Sequence, residues 1–256
     1  MTEPLVVLTL DAGIASLTLN RPAQGNAMSV ELLEALMRAL RDAEADPDCR
    51  VAVVHGAGRV FCGGGDLNDL ARAAEDAALQ LRMVTTLQDT MWAFAVSPLV
   101  VISAVNGAAA GAGLGLVLNT DLVLASPRAS FLGAYGAIGL SPDAGVSYLL
   151  PPAIGAKRAA AMLLAGRPVT AQEALDWGLV AELVDPDEVD VRADEWARRL
   201  AAGPSHVLAA TKRLLGAGSL AGYRAHLDAE ASDITGFAAH PDTRARIQAL
   251  LTKSSR

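Results

Sequence analysis

The chain has 256 residues, 52% of them hydrophobic and 19% charged, enough for one large core and too apolar for a disordered or acidic tail. A formal net charge of −7, from 28 acidic and 21 basic side chains, excludes a bulk electrostatic grip on nucleic acid or on an anionic membrane. A polyanionic ligand would have to be held by a few local cations and backbone N–H groups.

Val6–Leu10 and Ile14–Leu19 are β-rich runs separated by Asp11-Ala12-Gly13, a hairpin signal. Ser29 stands as an N-cap before Leu32, Leu33, Leu36 and Leu40 at helical spacing, and Asp46-Pro47-Asp48 ends that helix. Val51–Val54 is a wholly apolar strand, the pattern of a strand covered on both faces. A glycine-rich turn, Gly56–Asp66, and a helical stretch from Leu67 to about Phe94 follow. The order then repeats: strand Leu99–Val105, loop Asn106–Gly113, buried helix from Leu114, strands Asp121–Ala125 and Ala129–Phe131.

Strand, glycine-rich turn and helix recurring in this way predict α/β architecture with parallel strands. From Ala156 onward helices are expected over Ala156–Leu164, Ala171–Trp177, Val191–Ala201, Val207–Leu215, Leu220 to about Phe237, and Asp242–Lys253. The charge-free run Thr90–Thr120 is broken by Pro98, Asn106 and several glycines, so it reads as buried strand, loop and helix and not as a membrane span. Cys49 and Cys62 have no metal-ligand spacing and cannot staple a chain this size. The first residues lack the basic start and apolar stretch of a secretory signal. A reducing, cytoplasmic setting is the expectation.

Two glycine-rich turns, Gly56–Asp66 and Asn106–Gly115, each follow a buried strand. Neither carries the Lys-Ser/Thr of a phosphate loop or the dinucleotide fingerprint. Taken singly, such glycines are explained by tight turning and close packing. As a pair entering helix N-termini, they could present two backbone N–H groups to one developing oxyanion.

Leu19-Asn20-Arg21-Pro22 with Asn26-Ala27, Phe61-Cys62-Gly63-Gly64-Gly65-Asp66-Leu67, Ala104-Val105-Asn106-Gly107 through Gly111-Ala112-Gly113, Ile138–Asp143, Gly166-Arg167 and Gly178-Leu179-Val180 occur in an order and spacing that resemble the crotonase (enoyl-CoA hydratase/isomerase) family. The resemblance covers nearly the whole chain. It implies a crotonase-like spiral of ββα units over residues 1–190 and a helical oligomerisation region over residues 191–256, in a homotrimer or hexamer. It implies an acyl-CoA thioester as ligand, with coenzyme A entering as part of the substrate, and no metal or redox cofactor. The thioester oxygen is expected between the N–H groups of Gly65 and Ala112. Ala27, Gly63, Asp66, Leu67 and Tyr135 are expected at the substrate, and Lys253, with Arg21 and Lys212 as further candidates, at the CoA phosphates.

The departures from the family pattern bear on the reaction. Matching the loops puts Gly115 and Tyr135 where hydratases of the family carry two glutamates, and neither can serve as a carboxylate base. Asp143 is the acid that remains nearby. Several members of the family that shift double bonds or perform other enolate chemistry carry an essential aspartate at this place, which implies the proton-transferring base. Taken by itself, Pro142-Asp143 before an apolar run also reads as a helix cap.

The leading expectation is an acyl-CoA isomerase. Hydration by a single aspartate and a catalytically silent acyl-CoA-binding protein are the alternatives. Dehalogenation would need a histidine where Thr90 stands. His55, directly after a buried strand, reads as a core histidine, and Cys62 beside apolar Phe61 as a suppressed thiol.

Overall fold

The computed structural model describes residues 3–254, beginning with the hairpin of β1 (Val6–Asp11) and β2 (Ile14–Leu19). Ala12 and Gly13 turn it with φ of 48° and 80°, as a two-residue primed turn requires. Ser29 caps α1 (Val30–Ala45), its hydroxyl accepting from the Leu32 N–H at 3.2 Å, and the leucine stripe of that helix is buried.

Three strand pairs follow: β3 (Val51–Gly56) with β4 (Val60–Cys62), β5 (Val100–Val105) with β6 (Ala108–Ala110), and β7 (Leu122–Ala125) with β8 (Ser130–Leu132). The first strand of each pair joins a six-stranded sheet, β1-β2-β3-β5-β7-β10, and the second joins a four-stranded sheet, β4-β6-β8-β9. β9 is Val169–Thr170 and β10 is Glu182–Leu183. Pairing is parallel except within β1–β2 and β8–β9. A helix leaves the second strand of each pair: α2 (Leu67–Ala73), then α3 (Ala77–Val96); α4 (Ala112–Leu118); and α5 (Tyr135–Ile138). These are the expected ββα units. They gather Gly65, Ala112 and Tyr135 where the chain leaves the small sheet.

The apolar strands are buried on both faces. Val51, Val53, Val100 and Ile102 pack under α9 (Val189–Ala201), while Ala52, Val54 and Val101 enter the main core. The remaining helices are α6 (Val146–Ile154), α7 (Ala156–Leu164), α8 (Ala171–Asp176), α10 (Ser205–Ser219), α11 (Tyr223–Ala238) and α12 (Pro241–Ser254). α11 packs on α3, and α12 packs on α2 and α5, so the end of the chain folds back over the loops that leave the small sheet. Among the described residues no helix is long and apolar enough to cross a membrane, and Thr90–Thr120 is divided among α3, β5, β6 and α4.

The structure departs from the sequence reading in detail. β4 and β6 lie inside segments read as turns, because strands of three residues show no usable periodicity. The helical stretch after Leu67 is two helices, since Asp76 caps a new one by accepting from the Ala78 and Leu79 N–H groups. α4 begins at Ala112 and not at Leu114, which makes Ala112 its first residue.

Candidate active site

Gly65 follows β4 in a loop stitched to the segment before α1. The Met28 N–H donates to the Gly64 carbonyl at 2.7 Å, and the Asp66 N–H to the Met28 carbonyl at 3.1 Å. The N–H of Gly65, between them, meets no acceptor among the described residues. Gly64 has φ of 106°, and a Cβ there would stand 2.9 Å from the Ala110 carbonyl oxygen, so this loop touches the second one and admits no side chain. The second loop leads into α4 through Gly111, which provides no side-chain cap. The Ala112 N–H is one of the first-turn donors that no helix can satisfy internally. Two free N–H groups, one on each touching loop, therefore border one space.

That space is a cavity of about 260 Å³ with a mostly apolar lining, including Met28, Leu70, Met83, Leu87, Ile138 and Ile234. Gly63, Gly65, Leu67, Ala112, Tyr135 and Asp143 all line it. Leu250 of α12 and Ala238 of α11 cover it from the same chain. Asp143 is the one acidic side chain in the lining among the described residues.

The Asp143 carboxyl is not a helix cap. α6 starts from Gly145, which has no side chain to cap it, and the Asp143 Oδ1 is buried with no hydrogen-bond partner. Burial pushes its pKa up from 3.8 to about 7; the Tyr135 hydroxyl opposes that rise and the nearby Glu230 charge adds to it. The Tyr135 hydroxyl donates to the Asp143 main-chain carbonyl at 3.2 Å. Burial, and then Asp143 itself, push the Tyr135 pKa well above the usual phenol value, so Tyr135 is held as a neutral donor.

The turn carrying Asp143 is fixed from two sides. Ala144 is held at φ of 56°, a left-handed conformation unusual for alanine. From the end of α4, the side-chain amide of its C-cap Asn119 donates to the Ala144 carbonyl at 3.1 Å, and the Tyr223 hydroxyl donates to Asn119 Oδ1 at 2.7 Å. From α11, the Glu230 carboxylate accepts from the N–H groups of Gly145 at 2.7 Å and Ser147 at 3.0 Å, and from the Ser147 hydroxyl. Gly115 leaves no room for a glutamate, because a Cβ there would overlap the Ala144 side chain and stand 3.0 Å from the Ala144 carbonyl oxygen.

Ala27 and Asp66 do not line the cavity. The Ala27 carbonyl accepts from Arg21 at 2.6 Å, while the buried Asp66 carboxylate pairs with Arg21 at 2.9 Å and caps α2. Arg21 is thereby committed inside the fold. So is Lys212, which pairs with Asp121 at 2.8 Å and donates to the Leu99 carbonyl at 2.9 Å. The Lys253 side chain lies outside the described residues.

His55 is buried and bonded through Nδ1 to Asp190 at 2.8 Å, away from the cavity. Burial pushes the Cys62 thiol up to about 12. Thr90 is buried and its hydroxyl donates to the Thr86 carbonyl at 2.7 Å. Sequence reasoning missed Asn119, Tyr223 and Glu230. The first two offered no signal, and Glu230 offered a weak one, an acid between Leu227 and Ile234 on the buried side of a helix.

Residues 9–255 match the enoyl-CoA hydratase/isomerase family. The 1,2-epoxyphenylacetyl-CoA isomerase of Escherichia coli strain K12 is 34% identical over 248 residues, 96% of this chain and 95% of that protein. The 4-chlorobenzoyl coenzyme A dehalogenase-2 of an Arthrobacter species is 32% identical over 95% of this chain and 89% of its own. The crystal structure of an enoyl-CoA hydratase from Mycobacterium avium subsp. paratuberculosis K-10 superposes with a TM-score of 0.88 at 32% identity, covering 97% of this chain and 96% of that one. The chain belongs to the enoyl-CoA hydratase/isomerase family and has the crotonase fold.

Proposed function

We propose that this member of the family is an acyl-CoA isomerase that shifts a double bond by enolate-mediated proton transfer. The observation that carries the reading is a single carboxyl, that of Asp143, whose Oδ1 is buried without a partner, bordering an apolar cavity beside two free backbone N–H groups. The thioester carbonyl accepts from Gly65 and Ala112. The Asp143 carboxylate takes a proton from the α carbon of a 3-enoyl thioester, and the electron pair left behind delocalises onto the carbonyl oxygen as a dienolate. Asp143 then returns the proton at the γ carbon, giving the conjugated 2-enoyl thioester. A carboxyl that titrates at about 7 can both accept and return a proton near neutrality.

In this reading Gly63 and Leu67 line the acyl path, Tyr135 borders the reacting carbons, and Lys253 meets the CoA phosphates. Proton transfer of this kind needs no metal or redox group. Addition of water calls for a second group to hold and polarise it, and both Gly115 and the neutral Tyr135 weigh against that. Incubating the protein with trans-3-hexenoyl-CoA and trans-2-hexenoyl-CoA in ¹⁸O-labelled water tests the choice. Isomerisation without label in the product supports the reading, and a labelled 3-hydroxyacyl product contradicts it.

A homo-oligomer belongs to the same proposal. α10 has no buried residue, and its Val207, Leu214 and Leu215 are exposed, as a helix would be that awaits a second copy of the chain. Light scattering in solution reads the assembly directly.

A further inference from the structure

We propose that Glu230 is a positioning residue for Asp143: anchored on α11, its carboxylate clamps the turn that carries Asp143 and sets the charge that the Asp143 carboxyl meets. The inference rests on the reading of Asp143 as the proton-transferring base and goes beyond it in naming what sets that base.

A carboxylate is costly to bury unless donors satisfy it. The Glu230 side chain is only 5% exposed, and its donors all come from the start of α6, where the turn carrying Asp143 enters it: the N–H groups of Gly145 and Ser147 and the Ser147 hydroxyl. Gly145 is two residues from Asp143, and Ala144 between them has the left-handed backbone. Releasing the clamp would let that backbone relax and swing the Asp143 carboxyl. Three donors also favour the ionised form of Glu230, although burial acts more strongly to raise its pKa.

Between the two acids lies a space of about 10 Å³, bordered by Val84, Leu87, Leu227 and Ala231, at the lower limit for one water molecule. Little solvent can screen one carboxyl from the other. Tyr135 faces Asp143 from α5, and Tyr223 and His226 face Glu230 from its own helix, with the His226 Nε2 3.8 Å from a Glu230 oxygen. α3 contributes the uncharged Val84, Leu87 and Gln88, and the end of α4 the amide of Asn119.

Two substitutions separate reach from charge. Glu230→Gln removes the charge; Glu230→Asp keeps it but is one methylene too short to span both N–H groups. Each is measured beside Asp143→Asn, with trans-3-hexenoyl-CoA as the probe. kcat/KM is recorded from pH 5 to 9, and the Asp143 carboxyl is titrated by infrared difference against Asp143→Asn.

For Glu230→Gln, the acid limb and the infrared midpoint should both move down by about one pH unit, with kcat reduced about tenfold and KM within a factor of about three. For Glu230→Asp, kcat should fall comparably while the limb stays in place. An unmoved limb and midpoint in Glu230→Gln overturn the proposal, even if its activity is lost, because a purely structural role would lower activity without shifting the titration. If Glu230→Gln does not fold, a native kcat in Glu230→Asp overturns it. An active Asp143→Asn overturns the base reading itself. An inactive Asp143→Asn beside a native-like Glu230→Gln overturns the Glu230 proposal alone.

Discussion

Gly115 on α4 and Ala144 in the turn before α6 are in such close contact that no side chain fits between them. The turn occupies the volume that a glutamate at position 115 would need. Gly115→Glu is therefore expected to give no hydration of trans-2-hexenoyl-CoA. Overpacking should lower stability by about 1–3 kcal/mol, read as a lower melting temperature. A folded variant that gains hydratase activity would show that the turn yields readily.

The Asp143 carboxyl couples pH to both activity and stability. Its pKa rises from 3.8 to about 7 in the fold, so kcat/KM should fall as pH drops below about 7 and the base takes up its proton. Stability runs the other way. A raised folded pKa gives a contribution that is full below about 3.8 and lost as pH rises through about 7. Asp143→Asn, which needs no proton, should melt higher than the native chain at pH 8, by at most about 4 kcal/mol of stability. The difference should vanish toward pH 4.

Ala112 is the first residue of α4, a position where proline is accepted because the N–H has no helical partner. Ala112→Pro should fold and bind butyryl-CoA, yet lose about 10²- to 10³-fold in kcat, the cost of removing one oxyanion donor. Isothermal titration and steady-state rates separate the two effects. Undiminished kcat would show that the Ala112 N–H does not meet the oxyanion.

Tyr223 reaches the Asp143 turn through Asn119. Tyr223→Phe leaves the buried Asn119 Oδ1 without its donor and should cost about 1–3 kcal/mol in urea unfolding. An unchanged unfolding midpoint would mean that the Asn119 amide finds another donor.

Much of this architecture was legible in the chain itself. The wholly apolar run Val51–Val54 announced a strand covered on both faces, and Ser29 before a leucine stripe announced α1. The two glycine-rich loops, each after a buried strand and entering a helix, pointed as a pair to backbone donors facing one space. Asp143 stood out through the absence of glutamates at positions 115 and 135.

What sequence could not supply was long-range. Glu230 lies 85 residues from Gly145, and Asn119 lies 104 from Tyr223, so no local pattern links either pair. The partners of Asp66 are of the same kind: its place in a glycine-rich motif does not show that its carboxylate caps α2 and pairs with Arg21, 45 residues away. The cover that α11 and α12 form over the cavity follows from how the helices fold back, which hydrophobic spacing does not encode.

Deuterium transfer tests the role of Asp143 most directly. Native protein and Asp143→Asn are each incubated with trans-3-hexenoyl-CoA in D₂O, and the product is read by mass and by the absorbance of the conjugated thioester. The native chain should yield trans-2-hexenoyl-CoA carrying deuterium at the γ carbon to the extent that Asp143 exchanges with solvent. Asp143→Asn should bind the thioester and leave both the double bond and the α-hydrogens untouched. Conversion by Asp143→Asn at the native rate would contradict the account.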